Sequence, residues 1–448
     1  MSKSKRVSNL KSSPKIKIES NAKNLTNHAG VIPVMKFLER LRFTKAFVRT
    51  VEHDRGSQAS YQLVDAVTAS ILGVIAGARS MDGIAAVWSD DVLRKLSGWR
   101  GKMMDATTLG RIFKTVKNFH ASQMITFNHK MRGRTWKLAK SHHSRLVPYN
   151  SMWVDVDSTV KTACGNQEGV EKGYNPHKRG ARSYHPQLAF CAETKEILQG
   201  WLRCGSAYTS NGVVEFMKEL LAHVPRDMRI VFRGDSGYFV GALFDLLEER
   251  GCGFLVKVKL KGLVGLLEKQ TWEPIPGKRG WEQTRFSHGC GTWSSKRQFV
   301  AVRQLKENEK QKQPSLFLDA REFDYFCYVT TEDLTPWQAH KKYGKRATCE
   351  TWIEEAKNQM ALAHIKTNSF LANDALFQST ILAYNTIRWM ALVSGDQQLI
   401  RWEPASLRTF MLRVAGKLVS GGRQLTLKTS ESALYPQAWQ SWLRLALE

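Results

Sequence analysis

Residues 151–258 alternate in a way that few folds can satisfy. Met152-Trp153-Val154-Asp155-Val156-Asp157 has the two-residue period of a strand, which sets Asp155 and Asp157 on one face. Residues 186–193 and 196–203 read as the two arms of a hairpin, and a helix is expected from about 211 to 223. Residues 228–234 form another buried strand, ending on Asp235-Ser236-Gly237-Tyr238. A helix over 242–250 and a strand over 253–258 complete the series. Three strands, a helix, a strand, a helix and a strand imply an α/β fold, a mixed sheet flanked by helices. An acid stands at the end of the first strand and another at the end of the fourth.

A second constraint lies at residues 343–357. At about 100° per residue, Tyr343, Arg346, Glu350 and Lys357 fall within roughly one sixth of a helix circumference, with Glu354 beside them. Trp352, Ile353, Ala356 and Met360 occupy a separate arc. Such a helix packs by one side and presents an acid flanked by cations on the other.

The remaining chain divides around these two stretches. Residues 1–28 are rich in Lys, Ser and Asn and too poor in apolar side chains to offset the entropy of ordering, so a flexible basic arm is expected. Residues 29–148 carry helical periodicity and suit a DNA-binding region. Within them Asp105 reads as the cap of a helix that exposes Arg111 and Lys114, in a helix-turn-helix or a plain helical bundle. Residues 149–260 and 334–395 belong to the α/β unit, the latter including an apolar helix over 371–393. Between them, residues 261–333 set Trp272, Trp281, Trp293, Phe299 and Phe317 among Gly, Lys and Arg with strand-like alternation, a β-rich insertion. Residues 396–448 read as a largely helical C-terminal region suited to dimerisation or DNA contact. It has a helix over 407–419 bearing Arg408, Arg413 and Lys417, then a strand-like 424–428.

Charge narrows the partners. Lysine and arginine total 67 against 40 acids, a net charge of +27 and a pI near 9.9, which points to a polyanion. The seven cysteines are scattered and include no Cys-x-x-Cys, which argues against a disulfide framework and a zinc site and for reduced thiols in the cytosol. The longest apolar run, 63–78, contains Asp65 and ends at Arg79, so no membrane span is expected, and no apolar core follows the N-terminal lysines as in a signal peptide.

Three carboxylates gathered by a fold repel one another unless cations sit among them. Oxygen-only ligation suits Mg²⁺ or Mn²⁺, and two such ions about 4 Å apart can activate a water or a 3′-hydroxyl and stabilise the leaving oxygen in phosphoryl transfer. In so basic a chain the phosphate is expected in DNA. Asp155 shares a face with Asp157, and Glu354 lies one turn from Glu350. Ser158-Thr159 after Asp157, and the spacing from Glu350 to Arg346 and Lys357, favour Asp157 and Glu350.

The spacing Tyr-x2-Arg-x3-Glu-x6-Lys at 343, 346, 350 and 357 resembles the YREK signature of bacterial insertion-sequence transposases, which have an RNase H-like catalytic domain and an Asp-Asp-Glu triad. Asp157 with Ser158-Thr159 resembles the first acid motif of that family, and Asp235 with Ser-Gly-Tyr the second. Lys172-Gly173-Tyr174-Asn175-Pro176, Tyr184-His185-Pro186 and Ala383-Tyr384-Asn385 are similar to the branch with longer helical N-termini. The resemblance implies that Asp157, Asp235 and Glu350 are catalytic and hold two Mg²⁺ (or Mn²⁺) ions, while Tyr343, Arg346 and Lys357 contact phosphates at a transposon end. It further implies cut-and-paste transposition, binding of terminal inverted repeats and of target DNA, and a homodimer in a synaptic complex in the bacterial cytoplasm. The base-stacking tryptophan of the family's insertion has no direct counterpart: the strand before Thr330 offers Tyr325 and Phe326, and Trp293 is another candidate. His185 and His177 read as loop or DNA-contacting residues. A structure-specific nuclease on the same scaffold, or a non-catalytic DNA-binding relative, are the competing readings.

Overall fold

The computed structural model describes residues 15–99, 101–163, 165–176, 178–225, 227–291, 293–306, 323–364, 367–430 and 434–447. The first fourteen residues of the basic arm, His177 and Phe317 lie outside the described residues.

In chain order, a short strand β1 (Leu25–Thr26) precedes seven helices: α1 (Val31–Arg40), α2 (Phe43–Thr50), α3 (Leu63–Ala76), α4 (Met81–Val87), α5 (Asp91–Leu96), α6 (Ala106–Phe113) and α7 (Asn118–His142). Side chains at their N-termini set several of these starts. Asp105 accepts from Thr108 N at 2.6 Å and caps α6 as its sequence predicts, and Ser80 and Asp90 do the same for α4 and α5. On α6, Leu109, Ile112 and Phe113 are buried while Arg111 and Lys114 are exposed. No single described helix is long and apolar enough to cross a membrane.

The α/β part follows: β2 (Ser151–Ser158), β3 (Lys161–Thr162), β4 (Glu171–Lys172), β5 (Arg182–Tyr184), β6 (Gln187–Cys191), β7 (Ile197–Trp201), α8 (Val213–His223), β8 (Arg229–Gly234), α9 (Gly241–Glu249), β9 (Gly253–Lys257) and α10 (Leu263–Glu268). Next come β10 (Glu273–Pro274), β11 (Trp281–His288), β12 (Arg297–Leu305), β13 (Phe323–Thr330), α11 (Pro336–Gly344), α12 (Ala347–Glu354) and α13 (Phe370–Ser394). The chain ends with α14 (Gln397–Arg401), α15 (Pro404–Leu407), β14 (Gly416–Gly421), β15 (Gln424–Thr429) and α16 (Pro436–Leu447).

One nine-stranded sheet runs β10-β11-β12-β13-β9-β8-β2-β6-β7. β2 is parallel to β8, and β8 to β9, while β6 is antiparallel to β2 and forms a hairpin with β7. Taken in sequence order, the five strands β2, β6, β7, β8 and β9 therefore lie 3-2-1-4-5 with the second reversed, which is the RNase H-like arrangement. The strands of the insertion extend this sheet instead of building a layer of their own, because β13 pairs with β9 at Val329↔Val256. Burial on both faces explains their apolar runs. Phe299, Ala301, Cys327 and Val329 join the main core, while Val300 and Tyr328 meet Leu255 and Ala339 in a smaller one.

α13 is buried along nearly its whole length, from Ala372 to Val393, so its apolar pattern runs all round the helix. Several of its polar side chains engage the β6–β7 hairpin. Asn385 Oδ1 accepts from Ile197 N at 2.8 Å, its Nδ2 donates to Ile197 O at 2.8 Å, and Tyr384 OH donates to Lys195 O at 3.0 Å. The motif Ala383-Tyr384-Asn385 is thus a clasp between core helix and sheet.

Two expected helices are broken. Residues 343–357 do not form one regular helix: Tyr343 ends α11, Arg346 precedes α12, and Lys357 lies in a π-helical turn over Glu355–Gln359. The arc of Trp352, Ile353, Ala356 and Met360 is nonetheless buried. Residues 407–419 give α15, a π-helical turn over Arg408–Leu412, and then β14, which places Lys417 on a strand. The buried Arg408 guanidinium holds that turn by donating to Ile75 O at 3.0 Å and Gln359 O at 2.7 Å.

Candidate active site

The register of two parallel strands brings the first two acids together. Asp155 of β2 is paired with Arg233 of β8, so two residues further on Asp157 and Asp235 leave the sheet side by side at the C-terminal ends of neighbouring strands. Such strands lie about 4.8 Å apart. This edge is where open α/β sheets present ligand sites.

Asp155 and Asp157 share a face, but their partners differ. Asp155 is sealed from solvent and held by both arms of Arg233, at 2.5 and 2.7 Å. Arg233 also stacks over Trp153 and donates to Lys342 O, so this pair is a strut of the sheet. Asp157 is less enclosed. Its Oδ1 accepts from Ser158 N at 2.8 Å and its Oδ2 meets Arg346 Nη2 at 2.7 Å. Burial pushes the Asp157 carboxyl up to about 6; Arg346 opposes this, and the neighbouring Asp235 and Glu350 add to it. Asp235 caps the short turn Ser236–Tyr238 by accepting from Gly237 N at 2.8 Å.

Arg346 is the hub. Its side chain is only 8% exposed, and besides Asp157 it reaches Glu350 Oε1 at 3.2 Å from Nη1. Two contacts of 2.7 and 3.2 Å and the width of one guanidinium hold these carboxylate oxygens of Asp157 and Glu350 within about 8 Å of each other. Glu350, on the first turn of α12, is 65% exposed and keeps an oxygen toward solvent. Burial works against the charge on Arg346, yet Asp157 and Asp235 outweigh it and hold its pKa above the ordinary value. Its Nε is buried and has no acceptor among the described residues.

Tyr343 rests against the Tyr328 ring at 4.7 Å between centroids, and burial pushes its phenol up to about 12. Lys357 Nζ donates to Thr159 Oγ1 at 3.0 Å, and burial holds its pKa below the usual lysine value. The structure therefore gathers Asp157, Asp235, Glu350, Tyr343, Arg346 and Lys357 around one strand edge. Arg111 and Lys114 are not among them, since α6 packs on α3, α4 and α13.

Sequence reasoning named Ser158 and His185 but not their role in pinning the Asp157 strand end, and it missed Thr209. Ser158 Oγ lies 3.1 Å from Thr209 Oγ1 and 3.1 Å from His185 Nε2, while His185 Nδ1 bonds Ala207 O. His185 is buried with both ring nitrogens engaged, so it is no surface contact. Tyr184-His185-Pro186 was the signal for it; nothing local marks Thr209. Lys172-Gly173-Tyr174-Asn175-Pro176 also braces the site. A Cβ on Gly173 would meet Gly205 O at 1.9 Å, and Asn175 Nδ2 donates to Thr162 Oγ1 at 3.0 Å.

The aromatic candidates are engaged in packing. Trp293 touches Phe239, Phe244 and Phe299 under Arg297, Tyr325 lies on Trp272, and Phe326 is stacked with Trp281.

A family model, transposase DDE domain group 1, matches residues 8–447. The chain belongs to this family of DDE transposases. Among solved structures, the transposase is similar to a piggyBac transposase in a synaptic complex with hairpin DNA. The two are 15% identical, with 82% of this chain and 81% of that chain covered and a TM-score of 0.38. No curated protein sequence matches it.

Transposases of this family generally use divalent metal ions. Three carboxylates fit a hard cation in kind. Their spacing is another matter: among the described residues no three His, Cys, Asp or Glu side chains are close enough to hold an ion. The Arg346 guanidinium of the transposase stands between Asp157 and Glu350, where a cation would otherwise balance them.

Proposed function

We propose that this chain is a cut-and-paste DNA transposase of a bacterial insertion sequence in the YREK group, acting in the cytoplasm on the nucleoid. It binds terminal inverted repeats, cleaves there, and joins the freed 3′-hydroxyl to target DNA, with two copies pairing two ends. Asp157, Asp235 and Glu350 would hold two Mg²⁺ (or Mn²⁺) ions only once Arg346 leaves the gap between Asp157 and Glu350, and ions held there would supply Lewis acidity for phosphoryl transfer. The observation that carries this reading is the junction of two parallel strand ends, bearing Asp157 and Asp235, with a helix whose Glu350 is tied to Asp157 through Arg346.

The chain's own residues supply binding and charge balance. The planar fork of Arg346 matches a phosphate as well as a carboxylate, and its unpartnered Nε needs an acceptor. A backbone phosphate arriving there offers one and draws the guanidinium off Asp157 and Glu350, which frees both carboxylates for cation binding. Lys357 holds the Thr159 hydroxyl with one donor and has two left for a phosphate. Tyr343 stays a neutral phenol at physiological pH and so keeps a proton to donate to a phosphate.

Asp157→Asn tests the assignment in a nicking assay on a labelled duplex carrying a transposon end. Divalent-dependent nicking is expected to fall at least about a thousandfold while binding is kept, in line with the loss of a metal ligand. Nicking at the wild-type rate would sink the reading, and cleavage with no product joined to target DNA would leave a nuclease.

A further inference from the structure

The small sheet β1-β14-β15 takes no part in the site above, yet its exposed face carries an unbalanced charge. β14 and β15 pair at Lys417↔Lys428, Val419↔Thr426 and Gly421↔Gln424, and β1 adds Leu25↔Lys417. Alternation divides the two faces. Leu418 is buried, and Gly416 brings the sheet so close that a Cβ there would meet Ala29 Cβ at 2.8 Å and Leu427 Cδ1 at 3.0 Å. The other face presents Leu25, Lys417, Val419, Thr426 and Lys428, all exposed.

Two features of that face need a reason. Lys417 and Lys428 stand directly opposite each other, where Cβ atoms are about 5 Å apart and like charges destabilise the pair. Among the described residues neither lysine has an acidic partner, and the face itself carries no acid. The second feature is the tip. Gly422 and Arg423 turn the hairpin with φ of 56° and 63°, a type I′ geometry that suits Gly, Asn or Asp. Arginine is an uncommon occupant of the left-handed region, and here it sets a third, exposed cation at the end of the ribbon.

We propose that this ribbon is a second DNA-contacting surface, in which Lys417, Lys428 and Arg423 sit on the phosphate backbone of a duplex. Phosphates between the paired lysines turn a repulsion into a bridge, and Leu25 and Val419 lie flat against the sugars. The occupant follows from charge complementarity, with three cations and no acid on a ribbon of a chain of net charge +27. The proposal rests on the reading that the chain acts on DNA and extends it to a surface that the strand-end acids do not include.

The test uses the full chain and a fluorescein-labelled duplex of about 30 base pairs, with anisotropy read over a range of salt. K417E/K428E is expected to weaken binding at least tenfold at 0.1 M salt, and K417Q/K428Q about threefold. Their log–log salt dependence should flatten by roughly 1 to 2, one phosphate contact for each lysine. The thermal midpoint of K417Q/K428Q should hold or rise, since a like-charge pair is removed. Wild-type affinity and slope in both lysine variants would overturn the ribbon while leaving the DNA reading intact. A wild-type chain that bound no duplex at low salt would overturn both. If the variants lost self-association in sedimentation and kept their DNA affinity, the surface would be a protein interface and the proposal would fall.

Discussion

A buried guanidinium touching two carboxylates sets the electrostatics at the strand ends, and the contacts of Arg346 could not be inferred from its neighbours in sequence. Spacing identified Asp157, Asp235, Glu350 and Arg346 as residue types in order. It did not reveal that one arginine bridges two of the acids, because that contact depends on where α12 docks beside β2. Alternation likewise left Asp155 and Asp157 equivalent; Arg233, reaching across from the next strand, tells them apart. Outside the site, Asp374 offers a test in pH. Burial pushes its carboxyl up to about 7, Gln378 opposes, Glu219 adds to the rise and Lys161 opposes again. A carboxyl whose folded pKa is raised contributes its full stability below about pH 4, where both states are protonated, and loses it as pH rises toward 7. Asp374→Asn is therefore expected to raise the thermal midpoint by about 2–4 °C at pH 8 and by less than about 1 °C at pH 4, read by differential scanning fluorimetry. An equal shift at both pH values would refute the burial argument.

Strands and helices with strong periodicity were legible, while their interruptions were not. β2, the β6–β7 hairpin, β8, α9 and β9 follow from alternation and helical period alone. The π-helical turns at Glu355–Gln359 and Arg408–Leu412 leave the pattern of apolar residues nearly helical, so nothing in the sequence announces them. Glycines give a local test of how the loops brace the acids. A Cβ on Gly205 would meet Ser183 O at 2.0 Å and Glu171 O at 2.5 Å, so the β4–β5 edge must shift to admit it. Since Ser183 adjoins the segment carrying His185, that shift propagates to Ser158. Gly205→Ala should lower the thermal midpoint by at least about 2 °C, an overpacking cost of about 1–3 kcal/mol. It should also slow nicking about tenfold with DNA affinity kept. Unaltered melting and nicking would show that the edge yields freely.

A buried acid sits where the N-terminal helices meet the sheet. Glu196, at the β6–β7 turn, is fully enclosed and accepts from Arg132 at 3.1 Å, Trp136 Nε1 at 2.6 Å, Trp389 Nε1 at 2.6 Å and Thr194 Oγ1 at 2.8 Å. Arg132 and Trp136 belong to α7 and Trp389 to α13, so three parts of the chain meet on two oxygens. Glu196→Ala strands the Arg132 charge in the core, a loss of about 3–5 kcal/mol. The midpoint is expected to fall by more than about 5 °C, with α7 opened to limited proteolysis. Wild-type melting and protease resistance would refute that role. Continuity of the sheet carries further. With β13 zipped to β9 and β9 to β8, the strands beyond residue 273 act as a cantilever rooted beneath the second aspartate, not as a flap. Strand pairing links the far edge to the Asp235 end of β8, so a load on the outer strands and the aim of that carboxylate are mechanically coupled.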